Sequence, residues 1–273
     1  MKKLKATRWY IYIPLILMSA FYLIPIYLML ITGFKGFDEV NLKTMWELPR
    51  AIQFDNFIEA YDKLAPYMWN SMNMVFPAAI ISSILGSING YVLAKWKFKG
   101  ADIIFPLILF GMFIPYQSIL IPLVEFMKNM NLYGGLPGLV LTHVVYGIPI
   151  TTLTFRNYYA TIPKELIEAS RIDGCGLLSS YWYILLPISA PAFVVVIIWQ
   201  FTSAWNDFLF AVVLTSPSNW PITVALNNMA GSQIIAWNVQ MAGSFLAALP
   251  TLLIYIFLGR YFLRGLIAGA LKG

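Results

Sequence analysis

Charged side chains are absent from long stretches of this 273-residue chain, and that spacing decides what it can fold into. Trp9 to Phe34 is a run of 26 residues without Asp, Glu, Lys or Arg, Leu64 to Ala94 is a second run, and 52 uncharged residues lie between Asp207 and Arg260. A helix crosses the hydrocarbon core of a bilayer with about 20 apolar residues. Inside that core every backbone N–H and C=O must find its partner within the chain, so segments of this length are helical. With 60% hydrophobic and 11% charged residues and a mean hydropathy of +0.73, the composition lies outside the range of soluble domains. The expected fold is an all-α integral membrane protein with six transmembrane helices in a single membrane domain, 1–273.

The first run follows Lys2, Lys3, Lys5 and Arg8. It is longer than the apolar region of a cleaved signal peptide and is read as a retained first span, 9–34. Residues 35–63 are polar and mixed in charge. The second span is expected over 69–94, with Ser82, Gly86 and Gly90 forming a small-residue stripe that lets helix backbones approach. The third, 103–124, contains Pro106, Pro115 and Pro122 and is expected to be kinked and to face a cavity. The fourth covers 138–159 and the fifth 183–213. Residues 214–240 are rich in Ser, Pro, Asn, Gln and Gly and read as an external loop with room for a short helix. The sixth span is 241–262, gently broken by Pro250, and 263–273 is a short tail.

Lys and Arg orient these spans. The N-terminus holds four, the loop after span two three, the loop after span four three (Arg156, Lys164, Arg171) and the tail three. The opposite side holds five, Lys35, Lys43, Arg50, Lys63 and Lys128, over longer loops. The positive-inside rule then puts both termini in the cytoplasm. The same asymmetry accounts for the net charge of +6 without nucleic acid.

Few residues could do chemistry. No glycine-rich phosphate-binding motif is present, so ATP has no site here. His143 is the single histidine, which excludes a paired-histidine metal site and a Ser-His-acid set. It is read as a polar side chain packed between helices, with a proton relay as the alternative. Cys175, the single cysteine, has no disulfide partner and reads as a small filler rather than a redox group. Neither a catalytic residue, a cofactor nor a metal is expected. Asp207, beside Asn206, is the one acidic candidate within a span, and coupling to an ion gradient needs such residues. The energy for any transport is therefore expected from a partner.

One polar interruption remains, EASRIDGCGLLSSYWYILLP, residues 168–187. Pro163, Glu165 and Glu168 favour a helix start and Gly174 a helix end. A helix this short is marginal alone, and its position over 163–182 reads as a docking element rather than an ordinary solvated connector. Glu168-Ala169-Ser170, then Gly174 after three residues, Ile184 after nine more and Leu186-Pro187 resembles the EAA loop of ABC-importer permeases, with Ser170 standing where the pattern usually has Ala. The tail FLRGLIAGALKG, 262–273, resembles the carbohydrate-uptake branch, the maltose-permease type.

That resemblance implies a type I ABC-importer permease fold in the inner membrane of a prokaryote. It implies that Glu168, Ala169, Ser170, Asp173, Gly174 and Pro187 couple the chain to an ATPase subunit. It also implies that Gly269, Leu271, Lys272 and Gly273 reach the paired ATPases. A second, related permease subunit and an extracytoplasmic sugar-binding protein complete the implied complex, with membrane lipid around it. The neutral groups Trp199, Gln200, Thr202, Ser203, Trp205, Asn206, Gln240 and Ser244, with Asp207, are candidates for a sugar path. Interfacial aromatic anchoring and helix packing by Ser and Thr remain the alternative for each. Asn219, Trp220, Asn227, Asn228 and Gln233 are candidates to meet the binding protein, either probing its cleft or as a plain docking surface. The competing functional reading is a self-contained secondary carrier or channel for a neutral solute. An intramembrane enzyme stands third.

Overall fold

The computed structural model describes residues 9–96, 98–231 and 236–270. In chain order its helices are α1 (Trp9–Gly33), α2 (Asp55–Lys95), α3 (Ala101–Phe110), α4 (Leu120–Asn129), α5 (Leu136–Ala160), α6 (Lys164–Ile172), α7 (Leu177–Ser180), α8 (Leu186–Ile188), α9 (Ala190–Trp205), α10 (Leu209–Leu214), α11 (Ile222–Ala230) and α12 (Trp237–Ala270). A π-helical turn, Tyr181–Leu185, joins α7 to α8. Among the described residues four helices are long and apolar enough to cross a membrane, and up to six spans result when each of two bent pairs counts as one. The chain divides into two compact units, one of Met1–Ala65 with Ala225–Leu249 and one of Pro66–Val224 with Pro250–Gly273.

In the first unit, α1 keeps almost no side chain buried against its own chain. Tyr10, Ile16, Leu17, Phe21 and Tyr22 are all exposed. A helix that is apolar all round, and uncovered, is suited to hydrocarbon rather than water. Beyond α1 the chain turns on Lys35, which is only 1% exposed. Its ammonium donates to the carbonyls of Thr44 at 2.7 Å and Met45 at 3.3 Å, so charge-assisted hydrogen bonds replace lost hydration. Asn56 Nδ2 donates to the Gly33 and Lys35 carbonyls, and Asn238 Nδ2 donates to Asn56 Oδ1. Lys35 is therefore structural, although its sequence context is that of an open polar loop.

The second unit is organised by close contact between α2 and α5. A Cβ on Gly86 would overlap the Thr151 side chain, and one on Gly90 would sit 2.6 Å from the Arg156 backbone nitrogen. Glycine is what allows this approach, as the small-residue stripe anticipates. Thr151 Oγ1 donates to the Ser82 carbonyl at 3.1 Å and Gln200 Nε2 to Ser82 Oγ at 2.9 Å, which ties α9 to the same seam.

Several elements extend beyond the segments expected from charge spacing. α2 begins at Asp55, so the polar residues before span two are its first turns, held by acid at the helix start and by the Glu59–Lys63 pair. Span three is two helices at 90°, Ala101–Phe113 and Tyr116–Asn129. Ile114 and Pro115 are extended at the break, the conformation a following proline imposes on its neighbour. Span five is also broken: Leu177–Ile188 and Ala190–Trp205 meet at 79°, and α10 follows Asp207 as a separate short helix. The polar loop contains α11, and α12 runs to Ala270 through the segment read as a tail.

Candidate functional site

α6 is the local structure that Pro163 and Gly174 dictate. Pro163 is extended (ψ 140°) and leads directly into the helix. At the other end Gly174 has φ +87°, Gly174 N–H donates to Arg171 O and Cys175 N–H to Ser170 O at 2.9 Å. This pair of bonds closes the last turn as a Schellman motif, whose left-handed residue is cheapest as glycine.

The helix presents two unlike faces. Ile167 and Ser170 are buried, whereas Leu166, Glu168, Ala169, Ile172, Asp173 and Gly174 are exposed. Ile172 is 87% exposed, and Leu166 of the same helix is 40% exposed. Ile167 packs with Tyr91, Phe155, Tyr159, Tyr181 and Leu185. Ser170 Oγ donates to Ile167 O and shares a 2.9 Å hydrogen bond with Ser180 Oγ. Arg171 lies over the Trp96 ring at 4.1 Å, and Lys95 donates to the Ile162 carbonyl. Ser170 thus differs from the other candidate docking residues: it faces inward and holds the helix, a task alanine cannot perform. Pro187 is exposed on α8, just ahead of the bend.

Behind α6 lies a buried chain of hydroxyls. Tyr91 donates to Leu177 O, and Tyr181 OH donates to Ser87 Oγ at 3.1 Å. Ser87 Oγ and Tyr159 OH are 2.6 Å apart, and Tyr159 OH donates to Ser189 Oγ at 3.1 Å. Ser189 is the residue between α8 and α9, and Tyr158 OH donates to the Ile188 carbonyl beside it at 2.7 Å. Through the Ser170–Ser180 bond and the packing of Ile167, α6 adjoins this chain, which ends at the 79° break. Nothing in the sequence pairs these tyrosines and serines in advance. The signal was their hydroxyls at apolar positions.

A cavity of about 550 Å³ lies among α2, α5 and α9. It brings together Trp199, Gln200, Ser203, Asn206 and Asp207 of the candidate solute path, and adds Tyr116, His143 and Tyr146. Trp199 and Asn206 are exposed, Thr202 Oγ1 donates to Ile198 O, and Trp205 is buried with its ring stacked on Phe201. Asp207 accepts from the Ala211 N–H at 3.0 Å and the Phe210 N–H at 3.4 Å, and His143 Nε2 stands 3.5 Å from its Oδ2. His143 is thus packed between helices as expected, yet also at a cavity wall. Gln240 and Ser244 belong to the first unit, where Gln240 Nε2 donates to Leu226 O and Ser244 Oγ to Gln240 O.

The candidate binding-protein residues also separate. Asn219 donates to Gly134 O and Ser216 Oγ, with Trp220 half-buried beside it, while Asn227 and Asn228 are exposed on α11 in the first unit. Gln233, Leu271, Lys272 and Gly273 lie outside the described residues, and Gly269 falls in the last turn of α12. Among the described residues no group of three or more His, Cys, Asp or Glu side chains could hold a metal ion.

Apolar spans, two of them sharply bent, a short amphipathic helix and a cavity of mixed polar and apolar lining define a multi-pass membrane protein. The chain belongs to the binding-protein-dependent transport system inner membrane component family, whose model matches residues 82–267. It is 47% identical to a probable ABC transporter permease protein of Pyrococcus horikoshii, over 100% of both chains. It is 33% identical to the xylose/arabinose import permease protein of Haloferax volcanii, covering 93% of this chain and 90% of that one. A bacterial ABC transporter involved in import of the acidic polysaccharide alginate has a chain of the same fold, with a TM-score of 0.78 at 20% identity, covering 94% of this chain and 98% of that one.

Proposed function

We propose that this chain is a permease subunit of a binding-protein-dependent ABC importer that carries a sugar across the inner membrane, driven by ATP hydrolysis on a cytoplasmic ATPase dimer. The single observation that carries the reading is α6, an amphipathic helix held to the bent span through Ser170 and Ile167 and to the end of α2 through Arg171 over Trp96, while Leu166, Glu168, Ala169, Ile172 and Asp173 face outward. In this reading those outward residues, with Gly174 and Pro187, seat in a cleft of the ATPase. Both termini and α6 face the cytoplasm, as the Lys and Arg asymmetry favours, and Gly269, Leu271, Lys272 and Gly273 approach the paired ATPases. Movement of the ATPases displaces α6 as a rigid body, and the hydroxyl chain passes that displacement to the Ser189 break and so to α9. Bundle helices rocking about a central site give alternating access in membrane carriers.

The sugar assignment is supported by the import name of the pentose relative and by the hydrogen-bonding groups and Trp199 face that line the cavity. Trp199, Gln200, Ser203, Asn206 and Asp207 contribute to the solute path from this cavity. A second, related permease subunit pairs with this one in the lipid bilayer. An extracytoplasmic sugar-binding protein meets the loop containing Asn219, Trp220, Asn227, Asn228 and Gln233. The chain itself has no catalytic residue in this scheme and recognises no nucleic acid. Recovery of a tagged full-length chain from native membrane, followed by mass spectrometry, is expected to yield a nucleotide-hydrolysing subunit. A cysteine at Ala169 is expected to crosslink to it. Crosslinking to an extracytoplasmic protein instead, or recovery of the chain without an ATPase, would refute the proposal.

A further inference from the structure

The cavity has one polar end that the coupling argument leaves unused. His143 is 9% exposed, and its Nε2 has no hydrogen-bond partner, although it stands 3.5 Å from Asp207 Oδ2. A buried ring nitrogen left in this state is costly unless something completes it. Asp207 is held rigidly, because the Phe210 and Ala211 N–H groups fix its carboxylate and Thr223 Oγ1 donates to its carbonyl at 2.6 Å. A carboxylate has about four lone-pair directions, so two backbone donors leave acceptor capacity. Trp199, 55% exposed, gives the same cavity a broad apolar face, and none of the lining residues is Lys or Arg.

We infer that His143 and Asp207 form a hydroxyl clamp in this subunit's own sugar-binding site, selective for neutral over acidic sugars. This rests on the importer reading above and deepens it. One sugar hydroxyl donates to Asp207, its neighbour meets His143 Nε2, and the C–H face of the ring lies on Trp199. Selectivity has a repulsive half: a uronate carboxylate entering here would meet the Asp207 carboxylate, with no Lys or Arg among the lining residues to receive it. The alginate importer shares the fold at 20% identity, so fold likeness leaves charge preference open and the lining residues decide it.

The test uses the intact complex recovered through a tag on this chain, reconstituted in proteoliposomes and given labelled xylose, glucose, maltose or glucuronate. Wild type is expected to take up a neutral sugar and to reject glucuronate. Asp207→Asn and His143→Leu are expected to raise the KM for the neutral sugar by about tenfold or more, with recovery of the assembled subunits unchanged. His143→Gln, which keeps a neutral hydrogen-bonding group, is expected to recover part of the loss. Asp207→Asn is also expected to narrow the preference for neutral sugar over glucuronate. A second readout avoids both clamp residues: Ser203, exposed in the same cavity, is changed to Cys in a Cys175→Ser background. Its alkylation is expected to slow severalfold with the transported neutral sugar and not with glucuronate. Neutral uptake with unchanged KM in both variants, or unprotected Ser203→Cys, overturns the clamp while the importer reading stands. A complex that retains its ATPase yet moves glucuronate as readily as the neutral sugars also overturns it. A complex without an ATPase, or one that moves no sugar, overturns the importer reading and the clamp with it.

Discussion

Two spans of this protein are broken by nearly the same angle, 90° between α3 and α4 and 79° between α8 and α9, yet for different reasons. The first bend is local. Pro115 forces Ile114 out of the helical region, residues 112–118 are exposed, and no residue of α3 or of the 3-10 turns at the break is buried. The second bend falls at Ser189, which is fully buried and held by Tyr159, with Tyr158 on the adjoining carbonyl. A bend set by proline needs no neighbour to exist. The second bend is also flanked by prolines, Pro187 and Pro191, but its backbone is in addition tied by buried hydroxyls to the helix that supplies them. The second is therefore the one suited to carry a displacement from α6 into the membrane.

The comparison can be broken at four places, taken from the largest expected effect down. Gly174→Asp is expected to lower uptake by more than about tenfold while the ATPase still co-purifies. The φ of +87° costs an L-residue about 1–2 kcal/mol, and the new charge lies at the docking turn. Uptake at the normal rate in this variant would remove the coupling role. Tyr159→Phe is expected to destabilise the chain by about 1–3 kcal/mol, because Ser87 and Ser189 lose a buried partner. Thermal unfolding in detergent reads the loss, and Tyr181→Phe should lose less, since Ser87 keeps Tyr159.

Ser170→Ala is expected to cost about 1 kcal/mol by leaving the buried Ser180 hydroxyl short of a partner. The double variant with Ser180→Ala should lose less than the sum of the two single changes, measured as a double-mutant cycle. An additive result would mean that the two serines act separately. Pro115→Ala is expected to change stability by under about 0.5 kcal/mol, since the backbone there is already exposed. A loss matching that of Tyr159→Phe would end the distinction between the two bends.

Charge spacing and apolar composition marked the apolar segments, and three prolines in 103–124 made the first bend legible. Pro163 and Gly174 marked the ends of α6, and Gly86 and Gly90 marked the α2–α5 contact. These signals act within one helix or one turn, where the chain itself supplies the geometry. The π-helical turn over Tyr181–Leu185 and the break at Ser189 were not legible, because Pro187 and Pro191 flank that position and neither is the break.

What the amino-acid order determined by itself was an apolar, multi-span membrane protein with a short polar helix begun by Pro163 and ended by Gly174. Backbone satisfaction in hydrocarbon and the preferences of proline and glycine are local requirements. Tertiary structure alone decided that Ser170 faces inward to Ser180, that Tyr181, Ser87, Tyr159 and Ser189 form one chain, and that His143 faces Asp207 across a cavity. Each of those pairings joins helices or turns distant in sequence, and a polar side chain's partner is settled only when packing removes water and leaves one donor facing one acceptor.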